Sequence, residues 1–407
     1  MKKLLIVIDS LGCGGAEKAL ISLLKHIDYN TYQIDLLYFS KNDAYYKTKV
    51  PKWVNILDID INTEIALSPL KTTLKYIYII KKWPLIFIRV KNFIEKKMKK
   101  ESYYYCQMKN WKILNKYIPK QQNQYDSVIA FLESTPTYYI VDKVIAKKYI
   151  SFLRTDYKLM ESDSGFDYNY YKKIDYICVL SEEMKDNFNQ SFVNFKNKVV
   201  ILPNIIDVNE ILLKSNIEID FDIDFSGIKI ISVGTLRKVK GYDIAIEACK
   251  LLVDMGYEFK WYILGEGEER RNLLKEIKKY GIENNFILCG RKENPYAYIR
   301  KADIFVQCSY REGFSNSVFE AKCLKKPIVI TSSPGMKNQI RHCINGFIAE
   351  CGNYKEVAYY ISKLIDSEEI REKFIKSLCN FSESQDQRNH KTLKKFYDLI
   401  KYEKLED

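Results

Sequence analysis

Cys308-Ser309-Tyr310-Arg311-Glu312-Gly313-Phe314-Ser315-Asn316-Ser317-Val318-Phe319-Glu320-Ala321 is the stretch whose reading decides the fold. The run before it, Asp303 to Gln307, reads as a strand, and Val318, Phe319, Ala321 and Leu324 share one helical face. The stretch is therefore a strand end, a tight loop and a helix start. Gly313 lets the backbone approach a ligand closely. Ser315 is a candidate N-cap, and the N–H groups of Asn316, Ser317 and Val318 would point out of the helix end toward an anion. A diphosphate suits that cradle.

Two carboxylates bracket it. Seven residues separate Glu312 from Glu320, which at about 1.5 Å per helical residue puts them on the order of 10 Å apart. A glycosidase pair sits closer, at about 5–9.5 Å. One acid at each end of an extended ligand fits the spacing better: Glu320 for a ribose diol, Glu312 for a group beyond the phosphates. A capped helix with two surface acids has the same spacing, so context decides.

The 407 residues exceed the roughly 250–300 at which a single core stops growing, so two domains are expected. Short strands alternate with helical runs as in a doubly wound α/β domain. Leu4–Ile8, Gln33–Phe39, Val54–Ile59, Ser127–Leu132, Lys148–Leu153, Ile174–Leu180 and Val199–Leu202 read as strands, with a glycine loop at Gly12-Cys13-Gly14-Gly15 entering the first helix. From Asp207 to Ser226 periodicity fades and acids dominate, which reads as a solvated connector. The pattern then restarts: strands at Ile228–Val233, Phe259–Leu264, Phe286–Cys289, Asp303–Gln307 and Pro327–Thr331, and helices at Tyr242–Asp254, from near Glu268, at Tyr354–Ile365, Glu368–Leu378 and His390–Tyr402. The expected organisation is an N-terminal domain over 1–206, a linker over 207–226, a C-terminal domain over 227–385 and a final helix over 386–407.

Ten cysteines without a Cys-x-x-Cys, and only three histidines, His26, His342 and His390, suggest neither a zinc site nor a disulfide framework. A reducing cytoplasm is the simplest home. The opening Met-Lys-Lys-Leu-Leu-Ile-Val-Ile has too short an apolar run for a signal peptide and reads as a buried strand, and no run approaches the 18 residues of a membrane span. Of the net charge of +13, the segment from Lys71 to Lys120 carries +12, with 14 Lys and Arg against Glu95 and Glu101. Its aromatics include Trp83, Phe87, Phe93, Tyr103, Tyr104, Tyr105 and Trp111. Lysines are attracted to anionic lipid and aromatic rings favour the headgroup level, so docking on the inner membrane face is the functional reading. A solvated helical hairpin is the plain one, and nothing resembles a recognised RNA module.

A second glycine loop, Gly234-Thr235-Leu236-Arg237-Lys238-Val239-Lys240-Gly241, precedes helical Tyr242 to Asp254. Three cations in four positions beside a helix start make a diphosphate clamp, in which Lys240 would neutralise charge as a leaving group departs. Together with Gly14-Gly15-Ala16-Glu17, Leu264-Gly265-Glu266-Gly267-Glu268 and the Glu312/Glu320 element, this loop resembles the family 4 glycosyltransferases of the GT-B fold. Leu202-Pro203-Asn204 and Asn345-Gly346-Phe347 fall in the order that family shows, over roughly residues 3 to 400 but thinly across 41–120. The resemblance implies two Rossmann-like doubly wound α/β domains facing across a cleft. It implies transfer of a sugar from a nucleotide diphosphate, with UDP the expected nucleotide, onto a glycan acceptor, lipid-linked by expectation, in cell-surface polysaccharide synthesis. It further implies retention of anomeric configuration and no metal or other cofactor.

Residue by residue, the resemblance implies that Glu320 holds the ribose hydroxyls and the backbone at Gly313, Phe314, Ser315, Asn316 and Ser317 the phosphates. Leu288 to Lys292, with Arg291, would pack against the base. Glu312 would contact the transferring sugar, Lys240 would pair with the diphosphate, and Gly14 and Gly15 would offer amides from across the cleft. Thr235 stands where the family commonly has an arginine, so Arg237 is the candidate replacement. No histidine lies in Ser151-Phe152-Leu153-Arg154-Thr155-Asp156, which leaves Arg154 and Asp156, with Glu133, as acceptor-side candidates. Asp220-Phe221-Asp222-Ile223-Asp224 has the spacing of a metal-binding run but lies in the connector. A nucleotide-sugar epimerase or phosphorylase of the same fold, a non-catalytic binding scaffold and an NAD-dependent oxidoreductase are the rival readings. The last has Glu17 where its glycine fingerprint needs a third glycine.

Overall fold

A computed structural model of the chain describes residues 1–12, 14–40, 44–67, 70, 76, 83–99, 101–221, 225–379 and 381–401. The chain divides into two compact units, Met1–Ile206 with the chain from Asn389, and Asp207–Arg388.

The first unit is built on a seven-stranded sheet. Its strands are β1 (Lys2–Ser10), β2 (Tyr32–Ser40), β3 (Val54–Ile56), β4 (Gln124–Ala130), β5 (Ile145–Phe152), β6 (Tyr176–Val179) and β7 (Val199–Ile201), in spatial order β3-β2-β1-β4-β5-β6-β7. Neighbouring strands run parallel throughout. Such a sheet is covered on both faces, which is why β1 reads as the unbroken apolar run Leu4–Ile8, all five residues buried. The Gly15–His26 helix lays Leu20, Leu23 and Leu24 over it. From the far end of the chain, Phe396, Leu399 and Ile400 join the same core, and the Tyr397 ring stacks on Tyr32 at 5.8 Å.

The second unit carries β8 (Ile228–Val233), β9 (Phe259–Leu264), β10 (Phe286–Gly290), β11 (Ile304–Gln307), β12 (Ile328–Thr331) and β13 (Phe347–Ala349), in order β10-β9-β8-β11-β12-β13, again all parallel. In each sheet the order reverses once, between β1 and β4 and between β8 and β11. The loops leaving such strands diverge to opposite faces, and the crevice at their carboxyl ends is where doubly wound sheets take ligands.

Three expectations are corrected. The stretch after Asp207 is no solvated connector. Val208–Ser215 is a helix capped by the Asp207 side chain, which accepts from Glu210 N at 2.8 Å. Asn294 Nδ2 donates to Lys214 O, and the buried Phe221 ring packs on Tyr262 and Tyr298, so apolar contacts that skip the acids anchor this stretch to the second unit. Asp222, Ile223 and Asp224 lie outside the described residues. The last helix starts at Phe381, nine residues before His390, and β13 was legible only as the motif around Phe347.

In the basic segment, Lys71 to Thr73, Leu74, Lys75 and residues 77–82 and 100 lie outside the described residues. The remainder forms two helices, Trp83–Lys99 and Tyr103–Leu114, tied by Asn92 Nδ2 donating to Asn110 Oδ1. The second helix points inward: Trp111 is buried and donates through Nε1 to Asp142. The first does not. Trp83, Phe87, Ile94 and Met98 fall at positions i, i+4, i+11 and i+15, one helical stripe, and all four are exposed, Phe87 at 71% and Met98 at 78%. Among the described residues no helix is long and apolar enough to cross a membrane.

Candidate active site

The reversal between β8 and β11 brings two of the expected elements together. The loop after β8 closes in a single turn, Lys238–Lys240, and Gly241 follows at φ +64°, a left-handed conformation natural to glycine. A Cβ at Gly241 would come within 2.0 Å of Cys308 O, so this glycine lets the β8 loop press against the end of β11. The contact places Lys240 Nζ 2.5 Å from Glu312 Oε1, the pair being largely buried with side chains 21% and 11% exposed. Lys240 therefore does not reach into bulk solvent.

Glu312 is held from two further directions, and its neighbour Ser309 is itself fixed. Its Oε1 also accepts from Ser309 Oγ at 2.9 Å, and Ser309 Oγ accepts from Gln307 Nε2 at 3.0 Å. Its backbone carbonyl accepts from Gly335 N at 3.0 Å, an approach so close that a Cβ on Gly335 would lie 2.4 Å from the same oxygen. Thr331 Oγ1 donates to Ser309 O at 2.7 Å. Beyond the loop, Ser315 caps the Asn316–Cys323 helix by accepting from Val318 N, as its position after Phe314 suggested, and Ser317 Oγ donates to Gln307 Oε1 at 3.4 Å. The helix end, with first-turn N–H groups that have no intrahelical acceptor, stands beside a lysine and a carboxylate. That combination can neutralise and orient a polyanion.

The other donor-side residues are less uniform. Glu320 is buried on that helix, and Phe314 belongs to an aromatic row with Phe319 and Phe381, at ring distances of 6.2 and 5.2 Å. Arg291 is exposed beyond β10. Arg237 is grouped with Glu268 at 3.9 Å, both largely exposed, and not with Lys240. The cause is backbone pairing: Leu236 N donates to Glu266 O and Glu269 N to Leu236 O, so that end of the loop zips onto the turn after β9. Gly265 and Gly267 serve the same zipper, since Cβ atoms there would meet Gly234 O at 1.8 Å and Leu236 O at 2.3 Å.

In the first unit, the reversal between β1 and β4 gathers acids. Asp9 ends β1, Glu133 follows β4, and Glu17 rides the first turn of the Gly15–His26 helix. Dehydration, followed by the nearby Glu133 and Glu17 carboxylates, pushes the Asp9 carboxyl up to about 7 against a hydrogen bond from Gln107. Glu133 is buried, with Oε1 accepting from Tyr104 at 3.1 Å and Oε2 from Arg154 N at 2.8 Å, while Tyr104 and Thr155 hydroxyls meet at 2.8 Å. Gly14 and Gly15 enter this helix as expected, with an acid beside them. The Glu17 carboxylate lies against Gly14, where a Cβ would be 2.2 Å from Oε2, and is fixed by Ser10 Oγ at 3.1 Å.

The two remaining acceptor-side candidates have other duties. Arg154 lays its guanidinium over Phe131 and Phe152, 4.1 and 4.9 Å from the ring centres, and donates to Asn204 Oδ1. Burial lowers its pKa to about 10. Asp156 is buried, capping the turn at Tyr157–Leu159 and accepting from Asn187 Nδ2 at 2.6 Å. Both side chains are thus engaged by partners within the first unit. Sequence reasoning missed Gln307, Ser309 and Gly335 in the second unit and Asp9, Tyr104 and Gln107 in the first. Gln307 and Asp9 did leave a signal, a polar residue closing an otherwise apolar strand.

Residues 216–378 match the family model described as Glycosyl transferases group 1. The capsular polysaccharide biosynthesis glycosyltransferase CapM of Staphylococcus aureus is 29% identical over 203 residues, 48% of this chain and 53% of that protein. A Campylobacter jejuni enzyme, N-acetylgalactosamine-N,N'-diacetylbacillosaminyl-diphospho-undecaprenol 4-alpha-N-acetylgalactosaminyltransferase, is 24% identical over 92% of this chain and 93% of its own. The chain spans about half the length of the first curated relatives that it matches. Among solved structures, Anabaena HepE in complex with UDP superposes with a TM-score of 0.67 at 15% identity, covering 98% of this chain and all of that one. That likeness is one of fold.

Proposed function

We propose, from the premise that residues 216–378 belong to the group 1 glycosyl transferases within a GT-B fold, that this chain moves a sugar from a nucleotide diphosphate onto a glycan acceptor in cell-surface polysaccharide synthesis. The observation that carries the reading is the Lys240–Glu312 pair at the β8/β11 reversal beside the capped end of the Asn316–Cys323 helix. The helix N–H groups and Lys240 would take the diphosphate, and Glu312, freed from Lys240 when the ammonium turns to the phosphates, would face the departing sugar's positive charge. UDP is the nucleotide we favour, since HepE was solved with it. We assign the chain to family 4 and its reaction to the retaining type, with the leaving phosphate oxygen taking the acceptor proton and no metal required.

On the acceptor side, Asp9 and Glu133 suit a polyhydroxylated sugar, because carboxyls accept hydroxyl protons and repel phosphate. A lipid-linked acceptor accords with the undecaprenol-linked substrate named for the Campylobacter relative. The exposed stripe Trp83, Phe87, Ile94 and Met98, on a helix that also carries the exposed Lys91, would rest on the cytoplasmic face of an anionic membrane as an interfacial helix does.

A thermal-shift panel of UDP-glucose, UDP-galactose, UDP-N-acetylglucosamine and UDP-N-acetylgalactosamine, each with and without EDTA, tests the donor reading. A ligand at about 100 times its dissociation constant stabilises by about 2.7 kcal/mol. One sugar nucleotide should raise the transition, and chelation should leave that rise unchanged. No response to any member, or to UDP alone, would remove the reading.

A further inference from the structure

We infer that Ser309 and Gln307 are positioning residues that keep the Glu312 carboxylate aimed while Lys240 is drawn to the donor's phosphates; the inference rests on the donor-site reading above. Among the described residues, the hydrogen bonds to the Glu312 carboxylate fall on Oε1, from Lys240 Nζ and Ser309 Oγ. A diphosphate carries more charge than one carboxylate and competes for the same ammonium. Once Lys240 turns to it, Ser309 is the donor that remains.

A serine hydroxyl has one proton and rotates freely unless something fixes it. Here Gln307 does so. Its Nε2 donates to Ser309 Oγ at 3.0 Å and its Oε1 accepts from Ser317 Oγ at 3.4 Å, which sets the sense of the amide. The donors then run in one direction, Ser317 to Gln307 to Ser309 to Glu312. Gln307 and Ser309 are 1% and 0% exposed, so no bulk water competes for these bonds. The backbone is fixed as well, Ser309 O by Thr331 and Glu312 O by Gly335. Ser317 sits in the first turn of the proposed phosphate-binding helix. Seating of the phosphate and aim of the carboxylate are thereby joined through two side chains that touch neither the phosphate nor the sugar.

The test uses the full chain with Ser309→Ala and, as a second variant, Gln307→Leu, which keeps the hydroxyl but frees its rotor. UDP affinity is read by calorimetry, and kcat and KM with the UDP-sugar selected by the thermal-shift panel. A hydrogen bond to a charged group contributes about 1.5–3 kcal/mol, so kcat should fall about 10- to 100-fold in Ser309→Ala and less in Gln307→Leu. UDP affinity and donor KM should stay within about threefold of wild type, since the helix end is untouched. An unchanged kcat in both variants overturns the relay, as does a parallel loss of kcat and UDP affinity, the mark of a merely structural role. A wild-type chain that binds no UDP overturns the donor-site reading itself, a distinct result.

Discussion

Replacing Asp9 by asparagine should make the first unit more stable, and only above acid pH. Asp9 lies next to the end of β1, its carboxyl dehydrated and faced by Glu133 and Glu17 with Gln107 as its hydrogen-bond partner, and its pKa stands at about 7 instead of 3.8. Between those values the native chain holds a proton that the unfolded chain has released. The native state therefore binds more protons, and its stability falls as pH rises through that window. A pKa raised by about 3, at 1.36 kcal/mol each, sets a ceiling near 4 kcal/mol. With a discount for solvent screening of a residue that is not fully buried, ~2 kcal/mol remains. Asparagine keeps the shape and cannot ionise.

The expected result is a variant about 2 kcal/mol more stable than wild type at pH 8, with the gap closing below pH 4. Urea unfolding at fixed ionic strength measures it. Because two units need not unfold together, a Trp261→Phe background is preferable: Trp261 is the second unit's tryptophan, and its removal leaves Trp53, Trp83 and Trp111 to report the first. A stability gap that does not vary with pH, or an asparagine variant weaker than wild type at pH 8, would refute the account of three acids crowding one crevice.

Lys240→Ala should lower kcat/KM by about 100- to 1,000-fold, the range seen when one preorganised charge-stabilising donor is lost, whereas Arg237→Ala, solvent-exposed and paired at 3.9 Å with Glu268, should cost under about threefold in the same steady-state assay. Gly241→Ala should destabilise the second unit by about 3 kcal/mol or prevent its folding, because a Cβ would meet Cys308 O at 2.0 Å with φ at +64°; intrinsic fluorescence of Trp261 during urea unfolding reads this. Flotation with phosphatidylglycerol vesicles should retain wild type at low salt and lose Phe87→Asp/Met98→Asp, and equal flotation of both would retire the exposed stripe as a lipid contact.

Strand β8 and the Tyr242–Asp254 helix were legible to the residue because their apolar periodicity is local. Strand β13 was not: three residues make no periodic run, and Phe347–Ala349 is extended because it pairs with β12. The Asp207–Ser226 stretch misled for the opposite reason. Its acids read as solvation, while Asp207 is a cap, Glu210 pairs with Lys214 and the apolar residues between them dock the helix. At the site, the sequence could give residue types but not partners. Lys240 and Glu312 are 72 positions apart, and their pairing depends on which strands flank the reversal. Arg154 and Asp156 share a strand end with nothing to say that one would lie over Phe131 and Phe152 and the other cap a turn.

The same topology has thus been given two electrostatic characters. At the β8/β11 reversal a lysine and a capped helix end make a place where negative charge is welcome, with one acid tethered to that lysine. At the β1/β4 reversal the helix end is covered by Glu17, and Asp9 and Glu133 stand with it. A helix N-terminus offers roughly half a positive charge, so a full carboxylate beside it more than cancels its attraction for phosphate. The glycine loop at Gly14 therefore resembles the one after β8 in sequence, while the charge beside it is of the opposite sign. The two reversals thus differ in charge although they share a topology: a lysine and a capped helix end at one, three carboxyls at the other.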